Sequence, residues 1–139
     1  MSAVVAAARR WIGTPYRHQA SLRGVGADCL GLVRGVWREV LGGEPVAVPP
    51  YTADWSEAER KERLWEAARA HLTEVTRAPE PGDVVLFRMR AGMVAKHLGI
   101  VSAIGSNATF IHAYQRHGVI ESPFSAPWQR RVVSYFEFP

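Results

Sequence analysis

A chain of 139 residues, 47% hydrophobic and 22% charged with five tryptophans, fits one domain with a real core and is too apolar to stay disordered. Its one cysteine rules out an intrachain disulfide, so the fold must hold by packing, as in a protein made in a reducing compartment. The net charge is +4, but the arginines that supply it are dispersed, with no run longer than two and no zinc-finger, RRM or basic-helix pattern, which argues against nucleic-acid binding.

In chain order, Ser2 to Ile12 mixes small apolar residues with Arg9 and Arg10 and predicts a short amphipathic helix ending at Gly13. The basic pair follows the apolar stretch instead of preceding it, the reverse of a secretory signal, and no window approaches the roughly 18 apolar residues of a membrane span. A cytoplasmic location in the producing cell is the expectation. Glycines and prolines from Gly13 to Ala27 predict a loop, and Asp28 is a competent N-cap for a helix from Cys29 to Leu41 that Gly42 and Gly43 stop. Leu30, Val33, Val36, Trp37, Val40 and Leu41 recur at spacings of three and four, giving that helix a core-facing side.

Pro45 to Tyr51 should run extended, and Ser56 with Glu59 forms the pattern of a capping box for a helix over 57–72. The region 43–78, which carries Trp55 and Trp65, reads as a helical insertion that walls a groove or docks on an assembly, with an exposed tryptophan in that segment favouring docking. From Pro79 onward strands are expected at 84–88, 97–103, 109–114, 119–122 and 131–138, joined by short turns as an antiparallel meander. Helices followed by strands predict an α+β fold with helices packed on a small antiparallel sheet.

The chemistry-bearing candidates are few. Cys29 sits at a helix start, where the macrodipole and unpaired N–H groups favour thiolate. His97 and His112 fall in adjacent expected strands. A thiolate, a histidine base and a third group that fixes the base's tautomer are what nucleophilic attack on an amide needs, so His97 is read as the base and His112 as its orienting partner. His71, His117 and, by this reading, His18 are ordinary surface or half-buried histidines. Zinc on Cys29, His97 and His112 is the weaker alternative, because no Cys-x-x-Cys or His-Glu-x-x-His pair accompanies them. No cofactor is implied.

Gly13-Thr14-Pro15-Tyr16, Asp28-Cys29-Leu30-Gly31-Leu32-Val33, Pro81-Gly82-Asp83-Val84-Val85-Leu86-Phe87, His97-Leu98-Gly99-Ile100-Val101 and Phe110-Ile111-His112-Ala113, in that order, resemble the NlpC/P60 family of papain-like peptidoglycan endopeptidases. The likeness is strongest to the branch associated with phage tails and gene transfer agents. It implies a papain-like fold, Cys29, His97 and His112 as a Cys-His-His triad, and an oxyanion site made by the Tyr16 hydroxyl and the Cys29 amide. It also implies Asp28 beside the substrate's amino-terminal side, cleavage of bacterial peptidoglycan stem peptides at the D-γ-glutamyl-diaminopimelate bond, and phage-tail-like partner proteins. Two departures stand out: Leu30 replaces the usual serine after the cysteine, and Arg17-His18-Gln19 replaces an aromatic-Gly-Gly run, making Arg17 and His18 candidate substrate contacts. A tail-tip module with an idle site, and an amidase or acyltransferase using the same triad, remain open alternatives.

Overall fold

The computed structural model describes residues 2–55 and 57–139. Helix α1 (Ala3–Arg10) is capped by the Ser2 hydroxyl, which accepts from the Val5 amide at 3.2 Å. A two-stranded hairpin, β1 (Ser21–Leu22) and β2 (Gly26–Ala27), lies within the stretch expected to be loop and leads directly into α2 (Cys29–Leu41). The α2 bounds are those the sequence predicts, because both ends are locally encoded. Asp28 caps the first turn through the Gly31 amide, a contact worth about 1 kcal/mol, and Gly42 leaves the helix at φ +95°.

The helix expected over 57–72 is instead a 3-10 turn (Glu57–Glu59) and a separate α3 (Arg63–His71). Arg60 between them has φ +55°, a left-handed conformation that breaks a continuous helix. Ser56, the expected cap, lies outside the described residues.

The strands are β3 (Thr73–Val75), which sequence analysis missed, then β4 (Val84–Arg88), β5 (Ala95–Ala103), β6 (Thr109–Tyr114), β7 (Gly118–Pro123) and β8 (Val132–Glu137), with a short helix α4 (Ala126–Gln129) before the last. Strands β4 to β7 form the expected antiparallel meander. The last strand departs from it: β8 returns across the sheet to pair with β4 and β3, giving the order β3-β8-β4-β5-β6-β7. The alternation in β4 explains why that position is filled. Val84 and Leu86 face the helices while Val85 and Phe87 face a second layer built by Phe110, Phe124 and Trp128, and all four β4 side chains are fully buried. A strand apolar on both faces belongs in the sheet interior, with neighbours on each side.

On the helical face, Ala7, Ala8 and Trp11 of the α1 region and Leu32 and Val36 of α2 pack on Ile100, Ile111 and Ala113. Cys29, Val33, Leu64 and Ala68 pack on Leu86, Leu98 and Phe136. The first turn of α2 is thereby pressed against the middle of β5. Among the described residues no helix is long and apolar enough to cross a membrane.

Candidate active site

Two cavities flank this contact. The larger, about 590 Å³, lies between α2, the proline-rich segment and α3, and its walls are mainly apolar, including Leu30, Val33, Val46, Pro49 and Leu64. The smaller, about 120 Å³, holds the chemistry: Tyr16, His18, Asp28, Cys29, Tyr51, Lys96 and His97 all line it. Size does not select between them; the concentration of nucleophile, imidazole and carboxylate does.

Cys29 stands at the first position of α2, 7% exposed, with its thiol directed at the Lys96 carbonyl at 3.9 Å. That carbonyl is available because β5 carries a bulge. Ala95 pairs with Arg88 and His97 with Phe87, so Lys96 is an extra residue with no partner on β4. The bulge also rotates the strand, so that Ala95 and Leu98 both face the helical core while Lys96 and His97 both border the small cavity. A bulge beside a site commonly re-aims side chains in this way.

Behind the cavity, His97 Nε2 and His112 Nδ1 are 2.8 Å apart, and His112 Nε2 lies 2.9 Å from the Ser122 hydroxyl. Phe87, Tyr114 and Trp128 surround the His97 ring with centroids 5.8, 5.9 and 5.8 Å away, and Phe110 covers His112 at 4.3 Å. This aromatic box fixes both rings and keeps water from them.

Burial decides the protonation states. Cys29 is pushed up to about 12, chiefly by desolvation and next by the Asp28 charge, which together outweigh the backbone N–H groups of Leu98, Leu30 and Cys29 that favour thiolate. His97 is held well below 6.5 by burial, then by His112, Arg131 and Lys96. Burial therefore disfavours both the thiolate expected from the helix start and an imidazolium at His97, two groups that border the same cavity. His112 is lowered to about 4, again by burial with a smaller contribution from His117.

The depressed imidazole has a consequence for stability. An unfolded His112 takes up a proton near 6.5 and the folded one only near 4, so its contribution is intact above 6.5 and is lost as pH falls from 6.5 through 4. His112 alone accounts for about 3 kcal/mol of that loss. Denaturant unfolding at pH 7 and pH 4, with NMR titration of the histidine ring protons, should show the decline, with the His112 and His97 imidazoles both still neutral at pH 5.

Asp28 is 2% exposed and fully engaged. Oδ1 accepts from the Gly31 amide at 2.7 Å, and Oδ2 accepts from the Gln19 amide at 2.7 Å and from the Tyr51 hydroxyl. His18 Nδ1 lies 3.8 Å from the same oxygen, and the His18 ring and the Gln19 carboxamide both reach the Tyr51 carbonyl. Tyr16 borders the cavity with its hydroxyl pushed up to about 12 by burial and by Cys29 and Asp28, which keeps it a donor. Arg17 is exposed, packs over Gly26 and does not line the cavity.

Tyr51 is the residue sequence analysis missed. It stacks on Trp55 with centroids 4.3 Å apart, and the pair forms a wall shared by both cavities. Trp55 is 7% exposed, so the exposed tryptophan that would favour docking is absent at this position. The only signal for Tyr51 was its place at the end of Pro49-Pro50, where a stiff segment needs an anchor. Among the described residues no three His, Cys, Asp or Glu side chains converge on a point able to hold a metal ion.

A cysteine at a helix start and a sheet histidine that border one cavity, in a fold of helices packed on an antiparallel sheet, fit a hydrolytic enzyme. The chain belongs to the NlpC/P60 family, whose model matches residues 13–137. Among solved structures it is similar to the NlpC/P60 domain of the peptidoglycan hydrolase SagA, at 23% identity and TM-score 0.60 over 98% of this chain and 97% of that one. An NlpC/P60 family protein from Bacillus cereus ATCC 10987 is similar at 15% identity and TM-score 0.66, over 99% of this chain but 40% of that one. Ly7917, solved with the hydrolyzing product of MDP, is similar at 20% identity and TM-score 0.62, over 99% of this chain and 62% of that one. The chain thus spans less than two thirds of the latter two proteins. None of the curated proteins compared with the chain matches it.

Proposed function

We propose that this chain is a cysteine peptidase that hydrolyses the stem peptides of bacterial peptidoglycan at the D-γ-glutamyl-diaminopimelate bond. The observation that carries the reading is the 2.8 Å His97–His112 contact behind a cavity that Cys29 also lines. Family membership and the peptidoglycan hydrolase SagA among the structural neighbours support the substrate class.

The hydrogen-bond chain allows two opposite runs of donors, and one of them leaves His97 able to act as a base. If His97 Nε2–H donates to His112 Nδ1 and His112 Nε2–H donates to Ser122, then His97 Nδ1 is left as the acceptor. As the Cys29 sulfur attacks the carbonyl, its proton passes to His97 Nδ1. Charge thus forms only as the sulfur–carbon bond does, which suits a neutral resting pair. The Tyr16 O–H and the Cys29 amide receive the developing oxyanion. His112, neutral throughout, accepts from the imidazolium and steadies it. His97 returns the proton to the leaving amine, and a water activated by the same imidazole then frees the acyl group from the sulfur. Asp28 and His18 border the amino-terminal side of the substrate, with Tyr51 holding Asp28 in place.

The likeness of the motifs to the phage and gene-transfer-agent branch makes a phage-tail-like particle the proposed route from the producer's cytoplasm to the wall. Digestion of purified sacculi followed by mass analysis of the soluble products tests the function. Fragments with a newly freed diaminopimelate amine are expected; intact sacculi, or fragments cut only at other bonds, overturn it.

A further inference from the structure

The small cavity is lined by one lysine, Lys96, and that residue owes its position to the bulge. In an unbroken strand, neighbours of His97 point to the opposite face. Here the extra residue borders the same cavity as His97 and Cys29, with its carbonyl toward the Cys29 thiol. Lys96 is the only lysine of the chain apart from Lys61, so its presence beside the nucleophile is not a by-product of lysine-rich composition.

Its ammonium is held in place but not used up. The side chain is 26% exposed, and Nζ lies 3.5 Å from Glu57 Oε2, a charge contact in which that oxygen has no hydrogen-bond partner among the described residues. Glu57 is 11% exposed and has a second cation, Arg90, at 3.6 Å from its other oxygen. An ammonium carries three donors. The Glu57 contact, to a residue outside the cavity lining, leaves donors free, and Arg90 keeps Glu57 compensated when Lys96 turns to an anion in the cavity.

We infer that Lys96 is a specificity-determining residue that binds a free carboxylate on the leaving-amine side of the substrate. The side follows from position: Lys96 adjoins His97, the group that protonates the leaving amine, whereas Asp28 and His18 hold the amino-terminal end. The inference rests on the peptidase reading above and adds to it a chemical class: substrates whose diamino acid carries an ionised side-chain carboxylate. A charge-assisted hydrogen bond in a partly desolvated cavity favours such a peptide over its neutral counterpart by about ten-fold or more.

The test compares two stem peptides, one with the diaminopimelate side-chain carboxylate free and one with it converted to carboxamide, on wild type, Lys96→Gln and Lys96→Arg. Wild type should prefer the carboxylate peptide by about ten-fold in kcat/KM, mainly through KM. Lys96→Gln should erase the preference and Lys96→Arg should keep most of it. Lys96 also lowers the proton affinity of His97, but that effect is common to both peptides and cancels in the ratio. A wild-type enzyme without preference, or a preference that survives in Lys96→Gln, overturns the assignment. Hydrolysis of neither peptide by wild type instead overturns the peptidase reading and takes the assignment with it.

Discussion

Cys29→Ala and His97→Ala should each lower kcat/KM for stem-peptide hydrolysis by about four orders of magnitude, and the double variant should be no worse than the poorer single one. The non-additivity follows from how the groups are wired. A sulfur whose proton affinity is raised to about 12 by its surroundings is a poor nucleophile at neutral pH unless a base takes the proton during attack. Without His97 the thiol stays protonated, and without the thiol the imidazole has nothing to activate. Alanine at position 29 is a good helix former at the first turn and leaves the Asp28 cap untouched, so thermal unfolding should change little. His97→Ala is different, since it strips His112 of one of its two hydrogen-bond partners inside an aromatic box; His97→Asn, closer in volume and polarity, separates lost chemistry from lost packing. Stopped or initial-rate assays on a defined stem peptide measure both. Retention of more than about a hundredth of the activity in Cys29→Ala would exclude this sulfur as the nucleophile.

What the sequence disclosed and what it hid divide along the range of the interactions. Helix α2 was readable to the residue because Asp28 and Gly42 act on their own turns. The strands carrying His97 and His112 were readable from their apolar runs, and their adjacency from the short turn between them. The crossover of β8 was not, because its place beside β4 depends on which strand is apolar on both faces, a property that shows only when the second layer of Phe124 and Trp128 is in view. Residue 96 shows the limit most clearly. A bulge is a one-residue slip set by the pairing of β4 with β5, and strict alternation would have turned Lys96 away from the cavity. The charge state of Cys29 was misjudged for a related reason: the helix terminus is local and visible in sequence, whereas the burial that outweighs it comes from tertiary packing. Tyr51 and Trp55 lie in a stretch without periodicity, so nothing in the chain's pattern links them to Asp28.

Gly31→Ala should be among the most damaging single-methyl additions this chain can receive. A Cβ at position 31 would lie 1.8 Å from the Ala20 carbonyl oxygen and 3.1 Å from Asp28 Oδ1. Ala20 O accepts from the Asp28 amide, and the neighbouring Gln19 amide donates to Asp28, so the clash falls on backbone that is tied to the same turn of α2. Relief requires lifting the segment that carries Tyr16, His18 and Gln19 off the helix, which loosens the cap and opens the oxyanion side of the cavity together. A loss of about 3 kcal/mol is expected, or roughly 10 °C in Tm, with activity falling further than stability alone explains. Gly35→Ala separates the two effects. Its Cβ would meet the Trp11 ring at 2.0 Å, so it should cost comparable stability by pushing α1 from α2 while leaving the Asp28 turn intact. Gly43→Ala, with no atom within 4 Å of the added carbon, is the control that should leave Tm unchanged. If Gly31→Ala loses no more activity per degree of Tm than Gly35→Ala, the close seating of Ala20 on α2 serves packing alone and does not position the site.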